Sequence, residues 1–149
     1  MGIVKKSLVL WGAVAIITIQ GASAVTETET TGKVCGHECP QYRLEQFGGY
    51  SFQGKTSPSR NGHIVVFHFK RPWGTRWRPF KTGPADGSNA FHILDKNRPR
   101  DRINSRDRWK VSFTTGANPG RWVLRAKFIR QDGYDGSATY ERVRVRRSD

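Results

Sequence analysis

Arg142, Arg144 and Arg146 occupy every second position of the stretch YERVRVRR (140–147), with Val143 and Val145 between them. A guanidinium is a permanent cation whose flat fork of donors grips phosphate or carboxylate at two points, whereas a lysine acts as a point charge. Like charges on one face of a sheet repel by about a few tenths of a kcal/mol each, and salt only softens this. The chemistry such a row suits is the capture of an anionic polymer. The plain alternative is the solvated face of a very basic protein.

Acid–base chemistry has weaker candidates. The histidines are His37, His63, His68 and His92. A secreted ribonuclease would use His or Glu as acid and base with arginine on the phosphate, and Glu141 with His68 or His92 are the residues of the right type. No spacing singles them out. The chain has no G-x-S-x-G, no H-E-x-x-H and no phosphate-binding glycine loop leading into a helix. The expectation is a protein that is not an enzyme, with no catalytic residues, no cofactor and no metal.

Two further basic stretches could contact ligands. RPWGTRW (71–77) sets Trp73 and Trp77 among Arg71 and Arg76, and aromatics interleaved with arginines suit stacking on bases or sugar rings. Trp73, beside Gly74 in a turn, is the expected aromatic contact; Trp77 reads equally well as a core residue. In NRPRDRINSRDR (97–108), Asp101 and Asp107 offset the arginines locally, and the composition reads as a solvated loop.

Cys35 and Cys39 are the only cysteines. In an oxidising compartment they are expected to form a disulfide. Free thiols are the second reading. A metal site using His37 is the third, and it lacks the matching ligand pair that tetrahedral zinc requires. The compartment itself is read from the start of the chain. Lys5 and Lys6 precede an apolar run from Leu8 to Ile19, which closes on Ala22-Ser23-Ala24. This is the layout of a cleaved secretory signal peptide over residues 1–24, too short for a span of about 20 residues; an uncleaved anchor is the alternative. The formal charge is +14, and 17 of the 26 basic residues are arginine. Loss of Lys5 and Lys6 leaves a mature chain of +12, attractive to nucleic acid, acidic glycans, cell-wall polymers or lipid headgroups.

The elements that must position these residues follow from period and punctuation. VTETETTG (25–32) is polar and acidic, so residues 25–48, with Cys35 and Cys39, read as a flexible leader. From residue 49 one domain remains. Its runs GYSFQG (49–54), HIVVFHF (63–69), WRPF (77–80), AFHIL (90–94), RWKVSFTT (108–115), RWVLRAKFIR (121–130) and YERVRVRR are separated by Gly, Pro, Asn and Asp clusters. Seven short strands of this kind predict an all-β sandwich or barrel. QYRLEQF (41–47) is the single helix candidate and too short to hold alone.

Period two assigns faces. Val65, Phe67 and Phe69; Trp109, Val111 and Phe113; Trp122, Leu124, Ala126 and Phe128; and Val143 with Val145 form the core. Each fully buried Trp or Phe contributes about 2–3 kcal/mol before conformational entropy is subtracted.

The order of these signals resembles the bacterial immunoglobulin-like sandwich domains of secreted and cell-surface proteins, especially of actinobacterial type. The phrases that carry the resemblance are GKTSP (54–58), GHIVVF (62–67), WRPF, ADGSNAF (85–91), GRWVLRAKF (120–128) and YDGSATYERVRV (134–145), spanning about residues 49–147. The basic insertion at 96–108 and the cysteine-bearing leader depart from it. The resemblance implies an immunoglobulin-like antiparallel sandwich of about seven strands and an address outside the cell. In such a sandwich the last two strands pair and the third joins the same sheet, which would gather Arg121, Arg125, Lys127, Arg142, Arg144 and Arg146 on one outward face, with Arg76 and Arg78 extending it. The resemblance also implies adhesion, display or carbohydrate contact, and carries over no catalytic residues. The expected protein is a secreted, monomeric, non-enzymatic module that holds an anionic polymer (cell-wall polymer, acidic glycan or nucleic acid) on an arginine-rich face. A cationic antimicrobial or toxin-like effector is the alternative, and a small secreted nuclease stands behind both.

Overall fold

The computed structural model describes residues 24–94 and 100–148, with Arg100 described in backbone only. The apolar run and most of the cleavage motif therefore lie outside the described residues, as does part of the basic insertion. All regular structure among the described residues is β. The strands are β1 (Glu29–Cys35), β2 (Arg43–Glu45), β3 (Gly49–Ser57), β4 (Ile64–Lys70), β5 (Arg78–Pro79), β6 (Lys81–Thr82), β7 (Phe91–Ile93), β8 (Arg100–Arg102), β9 (Arg108–Thr115), β10 (Gly120–Phe128) and β11 (Ser137–Arg146). No helix among the described residues is long and apolar enough to cross a membrane.

Two sheets face each other across one core. Sheet one has the order β1-β3-β9-β7-β6, and sheet two the order β2-β11-β10-β4-β5, with β8 pairing the start of β4. Most pairs are antiparallel, but β6 runs parallel to β7 and β2 parallel to β11. The period-two residues fill the space between. Phe67 of sheet two lies 5.8 Å from Phe52 and 5.7 Å from Trp109 of sheet one. Further along, Phe91 sits 5.1 Å from Phe69 and 5.7 Å from Trp122. Such tilted and edge-on rings add to their burial energy through complementary quadrupoles.

Two expectations about segments are corrected. Residues 25–48 are not a flexible leader: β1 pairs with β3 over its whole length, and β2 pairs with β11. The sandwich thus begins at β1 rather than at residue 49. What holds β1 is largely polar. Thr30, buried, shares hydroxyl hydrogen bonds with Thr56 at 2.9 Å and Ser137 at 2.7 Å, so its desolvation is compensated. Gly32 lies under the Trp109 ring, and Val34 is fully buried. Residues 41–47, expected to be too short to hold a helix, contain the extended β2, whose Leu44 is fully buried. WRPF is not one strand but a crossing: β5 belongs to sheet two, β6 to sheet one, and Phe80 between them enters the core. Cys35 and Cys39 form a disulfide at the end of β1.

Candidate anion-binding face

Strand register decides which basic side chains meet on the outer face of sheet two. Trp122 pairs with Val143 and both are buried, so the alternate pairs Arg121↔Arg144 and Val123↔Arg142 face outward. The parallel pairing of β2 then sets Arg43 beside Arg144. The result is a row of three guanidinium-bearing positions, Arg43, Arg144 and Arg121, across three neighbouring strands about 4.8 Å apart. The next row is Arg142, Val123 and Lys70, followed by Tyr140, Arg125 and His68, then Ala138, Lys127 and Val66. Along β11, successive outward side chains are about 7 Å apart, giving Arg142, Arg144 and Arg146 a regular spacing. All three are exposed.

The structure therefore brings together six of the residues singled out by sequence: Arg121, Arg125, Lys127, Arg142, Arg144 and Arg146. It does not bring Arg78. That residue pairs with Phe69, an inward position, and its guanidinium lies 4.7 Å from the Phe69 ring centroid while Nη2 donates to the Asn89 carbonyl. It caps the core from the rim instead of extending the face. Arg76 is exposed in the connection between β4 and β5. Trp73 is 68% exposed in the same connection, with the Arg71 guanidinium 5.5 Å from its ring. Arg71 is committed to structure: it lies 3.8 Å over Trp122 and donates from Nη1 to the Arg121 carbonyl at 3.0 Å.

Two contributors, Arg43 and Lys70, were not singled out, and a third, Trp77, had two readings. Arg43 came from the segment read as leader, so no sequence period pointed to it. Lys70 ends a strand whose outward residues are otherwise apolar or histidine. Trp77, half-buried, lies on this face rather than in the core: Arg125 stands 4.3 Å and Lys70 5.1 Å from its ring, and Tyr140 packs at 5.9 Å. The alternation of Arg and Trp in RPWGTRW was the available signal, and it fitted either face.

Among the described strand residues of sheet two, Glu45 is the outward carboxylate; it lies 3.4 Å from Arg146 with both side chains largely exposed. Glu141, paired with Leu124, points to the inner side and is half-buried, which raises its pKa despite the Tyr42 hydroxyl it accepts from. His68 is half-buried on the outer face, and Arg125 Nη2 donates to its Nδ1 at 3.2 Å. Burial first, then the charges of Arg125 and Lys127, lower its pKa to about 4. His92 belongs to sheet one. Glu141, His68 and His92 thus occupy three different surfaces and form no acid–base pair. Ser88 and Asp86 approach His92, but both do so at Nε2, at 3.4 and 3.9 Å, while Nδ1 is buried without a partner. A relay needs the carboxylate on one ring nitrogen and the hydroxyl on the other.

No protein-family model matches the chain, and no curated protein matches it. Among solved structures it is similar to the human F-spondin reeler domain, at 14% sequence identity over 84% of this chain and 92% of that one, with a TM-score of 0.46.

Proposed function

We propose that this chain is an exported, non-enzymatic binding module, an immunoglobulin-like sandwich that captures an anionic polymer on the outer face of sheet two. The observation that carries the reading is the row Arg43, Arg144 and Arg121, flanked by Arg142 and Arg146, with Glu45 at the edge as its outward carboxylate. Holding these charges side by side costs free energy that a bound polyanion returns, releasing its own counterions as it docks. The two-dimensional spread of cations suits a chain lying across the strands rather than a single small anion. Arginine is the better residue for this task, since its fork keeps its hydrogen bonds to sulfate, phosphate or carboxylate oxygens as the chain shifts.

Retention on a heparin matrix and on anionic cell-wall polymer, measured across a salt series, tests the reading. A steep linear fall of log affinity with log salt is expected. Weak retention that does not change between low and high salt would contradict it.

A further inference from the structure

The opposite side of the sandwich carries a second basic feature. A cleft of about 620 Å³ opens on the outer surface of sheet one. Its floor is the backbone row Gly32, Gly54 and Trp109. On one side of that row stand Lys33 and Lys110, and on the other Lys55 and Arg108. By strand alternation these four point away from the core, and all four are exposed. The third wall comes from β8 and the turn after it. It is held in place by the Lys110 backbone N–H, which donates to Asp101 Oδ2 at 2.7 Å, and it contributes Arg102. Among the described residues, five basic side chains line the cleft against one carboxylate, Asp101.

The neutral lining decides the ligand class. Thr31, Gln53 and Asn104 offer hydroxyl and amide groups between the cations. Trp109, the one aromatic residue in the lining among the described residues, is only 2% exposed, so none of them presents a ring for stacking a nucleobase. Cations interspersed with neutral donors and acceptors, without an aromatic platform, match a sugar chain that carries both hydroxyls and acidic substituents. We infer that this cleft is a second polyanion site, built for a segment of acidic polysaccharide, and that the molecule bridges two such chains. The bridging rests on the arginine face of sheet two acting as proposed above; the cleft site does not.

The test uses the mature chain with a heparin-derived hexasaccharide and with long-chain heparin. Sedimentation should show two hexasaccharides bound per protein. Long-chain heparin should give a light-scattering maximum at an intermediate ratio that dissolves with excess polymer, as bivalent cross-linking requires. The double variant Lys55→Glu, Lys110→Glu should bind one hexasaccharide and lose at least about fivefold of the scattering maximum. Lys55→Ser with Lys110→Ser, checked for unchanged thermal unfolding, should do the same in milder form. A wild-type protein whose hexasaccharide stoichiometry, one or two, is unchanged in the lysine variants overturns the cleft site. If Arg142→Glu with Arg144→Glu leaves two hexasaccharides bound, the arginine face fails and the bridging falls, while loss on the lysine variants still upholds the cleft. Single-stranded oligonucleotide of matched charge displacing the hexasaccharide from the cleft at equal concentration overturns the saccharide assignment.

Discussion

The Arg125 guanidinium lies 4.3 Å from the centroid of the Trp77 ring. The Lys70 ammonium lies 5.1 Å from the same ring. One indole thus interacts with two cations in the middle of the basic face, and its negative π surface offsets part of their repulsion. This is how sheet two can keep Lys70 and Arg125 on adjacent strands with no outward carboxylate beside them among the described strand residues.

Replacing Trp77 by alanine should therefore cost stability beyond the area lost. Two cation–π contacts at about 0.5–1 kcal/mol each, together with the half-buried ring, predict a loss of about 2 kcal/mol. Trp77→Phe should recover about half of it, because the smaller ring keeps a weaker quadrupole. Urea denaturation of the three proteins measures both numbers.

His68 gives a pH signature. Its folded pKa, about 4, lies below its ordinary 6.5, so the unfolded chain binds the extra proton first. The stability contributed by keeping His68 neutral is complete above about pH 6.5 and is lost as the pH falls toward 4. NMR titration should place the His68 imidazole near 4. His68→Gln should flatten the dependence of unfolding free energy on pH within that window, and an imidazole titrating at its ordinary value would refute the assignment.

Gly54 of β3 is hemmed in by β1 on one side and by the Trp109 ring of β9 on the other. A methyl group there would overlap the Thr31 carbonyl oxygen of β1 and the Trp109 ring. The carbonyl belongs to a paired strand and cannot move aside alone. Gly54→Ala should destabilise the fold by about 3 kcal/mol, at the upper end for overpacking, readable as a large drop in the thermal midpoint.

Removal of residues before 49 tests the place of β1 and β2. Without them β3 becomes an unpaired edge, Val34 and Leu44 leave the core, and Thr56 loses its hydroxyl partner on Thr30. A chain beginning at residue 49 should not unfold cooperatively or should aggregate through the exposed edge. A sharp unfolding transition close to that of the longer chain would show that these strands are dispensable.

What sequence could reveal followed from how each strand is buried. β4, β9, β10 and β11 place large apolar side chains on alternate positions, so period two exposes them and their outward cations together. β1 carries no such pattern: its inward residues include Thr30 and Gly32, which pack through hydroxyl hydrogen bonds and through the absence of a side chain. Neither leaves a hydrophobic trace. β2 has one buried residue, Leu44, and a single position sets no period. Arg78 was misplaced because Pro79 and Phe80 mark a crossing between sheets, and its outward or inward sense depends on pairing with Phe69. The row that includes Arg43 needed the parallel register of β2 against β11, a long-range relationship that adjacent residues do not encode.

The most direct test of the account compares two proteins of identical net charge. Arg144→Glu alters the centre of the basic row; Arg130→Glu makes the same change at an exposed position in the connection between β10 and β11. Both are eluted from heparin with a salt gradient. Arg144→Glu should elute at clearly lower salt and reduce the slope of log affinity against log salt by about one, while Arg130→Glu should stay near the parent protein. Equal shifts for the two would mean that net charge alone governs retention, and would contradict a binding face on sheet two.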